Sequence, residues 1–289
     1  MYKFYEETFL QIVLAFIMFG VGLSITNQDL KALLKNPKKI FIGLSFQVLF
    51  LPLFTVLFLS FFDINPYWKL GIFILSLCPG GATSNLISQF LKLDIPLSVS
   101  MTILNSLLIV FTIPIGVEVG VSLYDSQSSH INISLLDSFF SVLFVVLTPT
   151  VVGIIVNHLA PQIAQRITNP IKWMNLVLLG VTFLAKALIK NPDEQTLVNF
   201  SDTVILLPLL CLFQLGAMLG SFFLARKFVT DRSATTICVE VGLQNVVLSL
   251  LVISNFPESW EISQPSLIFG LFSLTTTASL AWLITRKIS

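Results

Sequence analysis

Charge is what this chain lacks. Asp, Glu, Lys and Arg make up only 11% of its 289 residues, against about 25% in soluble domains. Histidine is nearly missing, with two copies, both near loops. That excludes a transition-metal centre built on imidazole. The three cysteines, Cys78, Cys211 and Cys238, all lie within apolar runs. They read as small buried apolar residues and exclude a disulfide or zinc framework. The net charge is only +1, and no basic run marks a nucleic-acid surface. No nucleophile stands beside a matching base, and no His-Glu-x-x-His occurs. An enzyme is therefore disfavoured, and no cofactor other than an ion, and no obligatory protein partner, is expected.

Apolar length is what the chain has. Hydrophobic residues make up 55% of it, 26 of them phenylalanine, and mean hydropathy is +0.91. About 20 apolar residues cross a bilayer. Nine such spans are expected, at about 8–25, 39–62, 67–91, 95–122, 134–159, 169–189, 203–226, 232–254 and 264–285. The fold class is thus an all-α polytopic protein of the plasma or inner membrane, as one membrane domain over 1–289. The first run is flanked by Glu6 and Glu7 rather than by positive charge, so it reads as a retained helix and not a signal peptide.

Loop charge gives an orientation. Lys31, Lys35, Lys38, Lys39, Lys92, Arg166, Lys172, Arg226, Lys227, Arg232, Arg286 and Lys287 share one side, 12 of the 16 basic residues. Asp63, Asp125, Asp193, Glu194, Glu258 and Glu261 fall on the other. Positive charge stays inside, so the N-terminus is expected outside and the C-terminus in the cytoplasm.

One acid breaks the apolar pattern. Glu240 lies in Cys238-Val239-Glu240-Val241-Gly242-Leu243-Gln244-Asn245, where an ionisable group costs about 2.5–3.5 kcal/mol on insertion scales and marks function by default. A second interruption, Cys78-Pro79-Gly80-Gly81, falls in the middle of the third span. Proline removes a backbone donor and paired glycines weaken the helix. The freed backbone groups must then line a protein cavity. The half-helix beginning near Ala82 offers unpaired N–H groups and a positive dipole end to an anion.

The two interruptions belong to echoing stretches. Gly43–Gln47 and Leu210–Gln214 each end on a glutamine central to its span, and Gly81–Asn85 resembles Gly242–Asn245. The copies are five spans apart, an odd offset, so they run oppositely through the bilayer. That is the pattern of an inverted-repeat transporter. Spans one to four then match six to nine. Side-chain oxygens suited to a hard monovalent cation come from Gln47, Ser84, Asn85, Ser98, Thr102, Glu240 and Gln244, with unwound carbonyls near Val241 and Leu243. Ser98 and Thr102 are four apart and share a helix face.

At these residues the chain resembles the bile acid:sodium symporter family. The resemblance runs from Met18-Phe19-Gly20-Val21-Gly22-Leu23 through Gln47, Cys78-Pro79-Gly80-Gly81 with Ser84-Asn85, and Leu97–Thr102 to Glu240–Asn245. It implies a sodium-coupled symporter of a small organic anion. It also implies a core domain (spans about 39–122 and 203–285) with crossing broken helices, packed on a panel (about 8–25 and 134–189). Two sodium sites are implied, one of Ser84, Asn85, Ser98, Thr102 and Glu240, the other of Gln47, Glu240, Val241, Leu243 and Gln244. The substrate is implied near Ala82, Thr83 and Asn245, with Ser273 and Thr276 from the last span. Bacterial members commonly have ten spans; this chain begins where their second would, as in animal bile acid carriers. The substrate stays open between bile acids and smaller acids such as pantoate or pyruvate. Two further readings stay open beside sodium symport: the same fold coupled to protons or uncoupled, and a membrane sensor that binds without transport.

Overall fold

The computed structural model describes residues 8–26, 29, 35–124, 139–140, 142–188, 200–256 and 259–288. Most of those residues are helical, with no named strand among them. In chain order, α1 is Leu10–Ser24, α2 Pro37–Ser60, α3 Pro66–Ser76, α4 Ala82–Phe90 and α5 Ile95–Tyr124. They are followed by α6 Leu143–Leu159, α7 Pro161–Leu188, α8 Phe200–Ala225, α9 Asp231–Gly242, α10 Val246–Ile253 and α11 Ser259–Ile288.

Among the described residues four helices, α2, α5, α8 and α11, are long and apolar enough to cross a membrane, while α1 and α6 are shorter apolar helices. The third and eighth expected spans are each cut in two, as α3/α4 and α9/α10. The long helices leave large apolar side chains on the outer surface: Phe41, Leu53, Phe111 and Leu271 are all more than half exposed. Patches of this extent mark a surface that meets apolar solvent, so the chain is an integral membrane protein. Several residues used to orient it (Lys31, Asp125, Asp193, Glu194 and Glu258), and Glu6 and Glu7 before the first run, lie outside the described residues.

Proline shapes the helices locally. Phe46–Phe50 in α2 and Leu143–Leu147 in α6 are wound as π-turns. Each lies just before a proline, Pro52 or Pro149, which has no N–H to offer the carbonyl four residues back. The ladder shifts by one: Leu51 N donates to Phe46 O, and Thr148 N to Leu143 O. Gln47 sits on the first of these widened turns, and such turns often present functional side chains.

The helices sort into two packed groups. α1 packs on α6 and α7. In the other group α11 packs on α3, α8, α9 and α10, and α5 packs on α2, α3 and α4. Where the groups meet, α1 lies on α10, and the π-turn of α6 lies on α5.

One polar knot joins the ends of three helices in the second group. Asp94, just before α5, pairs with Lys39 Nζ of α2 at 3.2 Å. The same carboxylate accepts from Ser233 Oγ of α9 at 2.7 Å and from Leu97 N at 3.3 Å. Its own N–H donates to Thr236 Oγ1, and Arg232 reaches the carbonyl of Leu93. Burial opposes the charge on Asp94, but the Ser233 hydroxyl, the Lys39 ammonium and the Leu97 amide outweigh it and hold its pKa below the ordinary carboxylate value. A depressed folded pKa adds stability above the unfolded value, which is lost as pH falls through the folded one. Asp94→Asn should therefore lower the melting temperature at neutral pH. The gap from the wild type should close below about pH 4; a gap constant from pH 7 to pH 3 would refute this role.

Candidate functional site

The site forms where the two cut helices face each other. α3 ends in short turns, with Leu77 N on Ile74 O and Cys78 N on Leu75 O. Pro79 donates nothing. Gly81 then takes φ +93 to turn the chain into α4, a conformation glycine adopts without penalty. In the other helix Leu243 is extended, at φ −116 and ψ 130, and α10 starts after Asn245. The two extended pieces pair antiparallel, Pro79 opposite Gln244. Asn245 N donates to Cys78 O at 2.8 Å. Gly80 lies so close to the carbonyl of Leu243 that a Cβ there would stand 2.8 Å from its oxygen.

Four helix ends therefore meet at one depth, with opposite polarity. The starts of α4 and α10 present the positive ends of their dipoles, and the ends of α3 and α9 the negative ones. Asn245 caps α10 by accepting Leu248 N at 3.0 Å. Glu240 lies in the last turn of α9, 1% exposed. A carboxylate at a helix C-terminus is disfavoured by the dipole, and no Lys, Arg or His bonds to it among the described residues. Its partners are hydroxyls: Ser84 Oγ at 2.9 Å and Ser98 Oγ at 2.5 Å.

These hydroxyls have more acceptors than protons. Ser84 Oγ also lies 2.7 Å from Gly81 O, and Ser98 Oγ 2.7 Å from Asn85 Oδ1. Thr102 Oγ1 is 3.3 Å from the same Asn85 oxygen and 3.2 Å from Ser98 O. Each hydroxyl carries one hydrogen. Three protons thus face both oxygens of Glu240, Asn85 Oδ1, and the carbonyls of Gly81 and Ser98. An oxygen-rich, proton-poor cluster around a buried carboxylate suits a hard cation, which takes several oxygen ligands. All five residues assigned to the first site, Ser84, Asn85, Ser98, Thr102 and Glu240, are brought together.

The second assigned set is only partly joined. Gln47 Nε2 lies 3.4 Å from Gln244 Oε1, and Gln244 Nε2 donates to Val241 O at 2.9 Å. Gln47 Oε1 is buried and unpartnered among the described residues. The Leu243 carbonyl faces Gly80, and no hydrogen bond links Glu240 to Gln47 or Gln244. Of the residues assigned to substrate, Ala82 opens α4, Thr83 is half-buried in its first turn, and Asn245 lines a small cavity beside Gly80 and Gly81. Ser273 and Thr276 do not line that cavity and instead hold Gln214.

Gln214, in the middle of α8 and 1% exposed, is a residue the ligand assignment from sequence omits. Its Nε2 donates to Gly242 O at 2.8 Å, Ser273 O at 2.9 Å and Thr277 Oγ1 at 2.9 Å. Its Oε1 accepts from Thr276 Oγ1. It ties the last carbonyl of α9 to α11. The signal was its echo of Gln47 in the repeated stretch.

Residues 11–191 match the model of the Sodium Bile acid symporter family. The chain belongs to that family. The matched stretch ends before Glu240, but curated relatives align further. A sodium-dependent transporter of Bacillus subtilis, YocS, is 26% identical over 284 residues, 98% of this chain and 84% of its own. The human ileal sodium/bile acid cotransporter is 26% identical over 281 residues, covering 94% of this chain and 77% of its own. The probable chloroplastic sodium/metabolite cotransporter BASS1 of Arabidopsis thaliana is 25% identical over 240 residues. This chain spans only 57% of that relative's length.

Two substitutions test the architecture of this symporter-family site. Gln214→Ala removes the bonds from Nε2 to Gly242 O and Ser273 O, which keep only the hydroxyls of Thr277 and Thr276; each lost bond contributes about 0.5–1.5 kcal/mol. Unfolding in detergent should show a loss of that order or more, and an unchanged midpoint would rule out the tie. Gly81→Ala forces an L-residue to φ +93 and ψ −127, outside the left-handed helical region, at about 1–3 kcal/mol. It should destabilise the protein, whereas Gly180→Ala, where no atom lies within 4 Å of an added Cβ, should not; equal effects would contradict the reading of the turn.

Proposed function

We propose that the protein is a sodium-coupled symporter that carries a small organic anion into the cell by alternating access. The observation that supports this best is the proton-poor oxygen cluster at Glu240, set where four helix ends meet. Family membership and relatives named as sodium-dependent or sodium/bile acid cotransporters point the same way.

Two sodium ions are proposed, one on Ser84, Asn85, Ser98, Thr102 and Glu240, the other on Gln47, Glu240, Gln244 and the carbonyls of Val241 and Leu243. Two ions carry +2, Glu240 contributes −1 and a monocarboxylate −1, so the loaded site is close to neutral. Neutrality lowers the penalty for holding charge away from water. Sodium draws the carbonyls of the second cut helix into place and so sets the start of α10 for the anion, near Thr83 and Asn245. The two ligands then raise each other's affinity by the same factor. One net positive charge moves inward per cycle, assisted by about 2.3 kcal/mol per 100 mV.

The moving parts proposed are the two packed groups. The helices α1, α6 and α7 form the panel; the cut helices and their neighbours form the core, as two inverted repeats within nine spans. The membrane is the plasma or inner membrane, with the N-terminus outside and the C-terminus in the cytoplasm. No catalytic chemistry and no obligatory protein partner is assigned.

In the purified protein, sodium should raise the melting temperature and potassium or choline should not. Glu240→Gln should abolish the sodium effect and sodium-driven uptake into liposomes while leaving the protein folded. Ser98→Ala and Thr102→Ala should each need several-fold more sodium. Uptake that persists in choline at an imposed proton gradient would favour proton coupling; ligand binding without flux would favour a sensor. Normal sodium-driven uptake by Glu240→Gln would end the assignment.

A further inference from the structure

Asn105 is the one side chain among the described residues whose two polar atoms are both buried without a partner. It lies on α5 and is 2% exposed, and neither Oδ1 nor Nδ2 has a hydrogen-bond partner there. A buried amide without partners destabilises a fold. The residues around it do not repair this: Ser106 bonds back to Thr102 O, and Thr102 is taken by Asn85 and Ser98.

The amide sits between two small cavities at the first interruption. Gln47, Leu77, Pro79 and Thr112 line one with it. Met18 and Val21 of α1, with Gly80, Gly81 and Asn245, line the other. Asn105, Pro79 and Ile109 border both. Each is about 10 Å3, room for no more than a water-sized group. The second has a wall from each packed group, because Met18 and Val21 belong to α1 and the rest to the cut helices and α5. In the alternating access proposed above, separation of α1 from α10 opens it onto Asn105. A polar ligand that enters between the groups therefore meets this amide as well as the starts of α4 and α10.

An amide offers a donor and an acceptor side by side. A simple carboxylate uses only the donor and leaves Oδ1 unpaired. An alpha-hydroxy acid uses both: one carboxylate oxygen accepts from Nδ2–H, and the neighbouring hydroxyl donates to Oδ1. We propose that Asn105 contacts the transported anion directly and selects small alpha-hydroxy carboxylates over the same acids without the hydroxyl. This rests on the transport reading above and adds its substrate class. A site built to bond a hydroxyl discriminates strongly against the analogue lacking it, since its own polar atom is then left unpaired.

The test is thermal stabilisation of the purified full chain in saturating sodium by three pairs of acids: glycolate and acetate, lactate and propionate, mandelate and phenylacetate. The wild type should bind the hydroxy member of at least one pair about tenfold or more tightly. Asn105→Leu keeps the branched shape and carries no polar atom. It should keep the full sodium shift and lose the preference between members of the pair. Asn105→Ala serves the same comparison if the leucine variant does not fold. Preference retained in the variant, or no preference in the wild type, would each overturn the proposal. A wild type stabilised by no acid and showing no sodium-dependent uptake would overturn the transport reading itself, and this inference with it.

Discussion

The contact on which the site depends is the pairing of two interrupted helices across the Cys78 carbonyl and the Asn245 amide. Unwound backbone is tolerated at membrane depth only where protein or a water-lined cavity satisfies it. Here each interruption satisfies the other: Pro79 lies opposite Gln244, and Gly80 comes close enough to touch the Leu243 carbonyl. Everything polar in the site is held by that join. The carboxylate of Glu240 reaches Ser84 and Ser98 because α9 ends where α4 begins. Gln214 anchors the same join from behind, through Gly242 O to α11.

Electrostatics then divides the join into two kinds of place. The C-terminal end of α9 gathers carbonyl oxygens and a carboxylate, a region of negative potential with too few protons. The starts of α4 and α10 present N–H groups and positive potential. A cation and an anion can be held a short distance apart, each making the other's position cheaper to occupy. Asn105 stands between the two cavities that border the first interruption, one of them walled on its far side by Met18 and Val21 of α1.

Much of this was legible in the sequence because membrane helices obey severe rules. Cys78-Pro79-Gly80-Gly81 cannot continue a helix, and Glu240 cannot face lipid; the interruptions between α3 and α4 and between α9 and α10 follow directly. Ser98 and Thr102 were paired by their spacing and Ser84 by its place after the break; the structure brings Ser84 and Ser98 to Glu240 and Thr102 to Asn85. The span count was less legible. Among the described residues four helices are both long and apolar enough to cross a membrane, and hydropathy does not show where an apolar run is cut, as between α3 and α4 and between α9 and α10. The partners of Ser273 and Thr276 were not legible either. Facing between distant helices is decided by packing, and α11 turns these residues toward Gln214. The Asp94 knot was hidden for the same reason, because Lys39, Asp94 and Ser233 are distant in sequence. Asn105 stood among several polar residues on α5, and only its lack of partners distinguishes it.

Amide hydrogen exchange, compared in sodium and in choline, tests most directly whether a cation organises the paired interruptions. Sodium should slow exchange at Gly80–Asn85 and Val241–Asn245 selectively, leaving the helices α1, α6 and α7 unchanged, and the protection should vanish in Glu240→Gln. Exchange at those segments that is indifferent to sodium, or protection that survives removal of the charge, would contradict it.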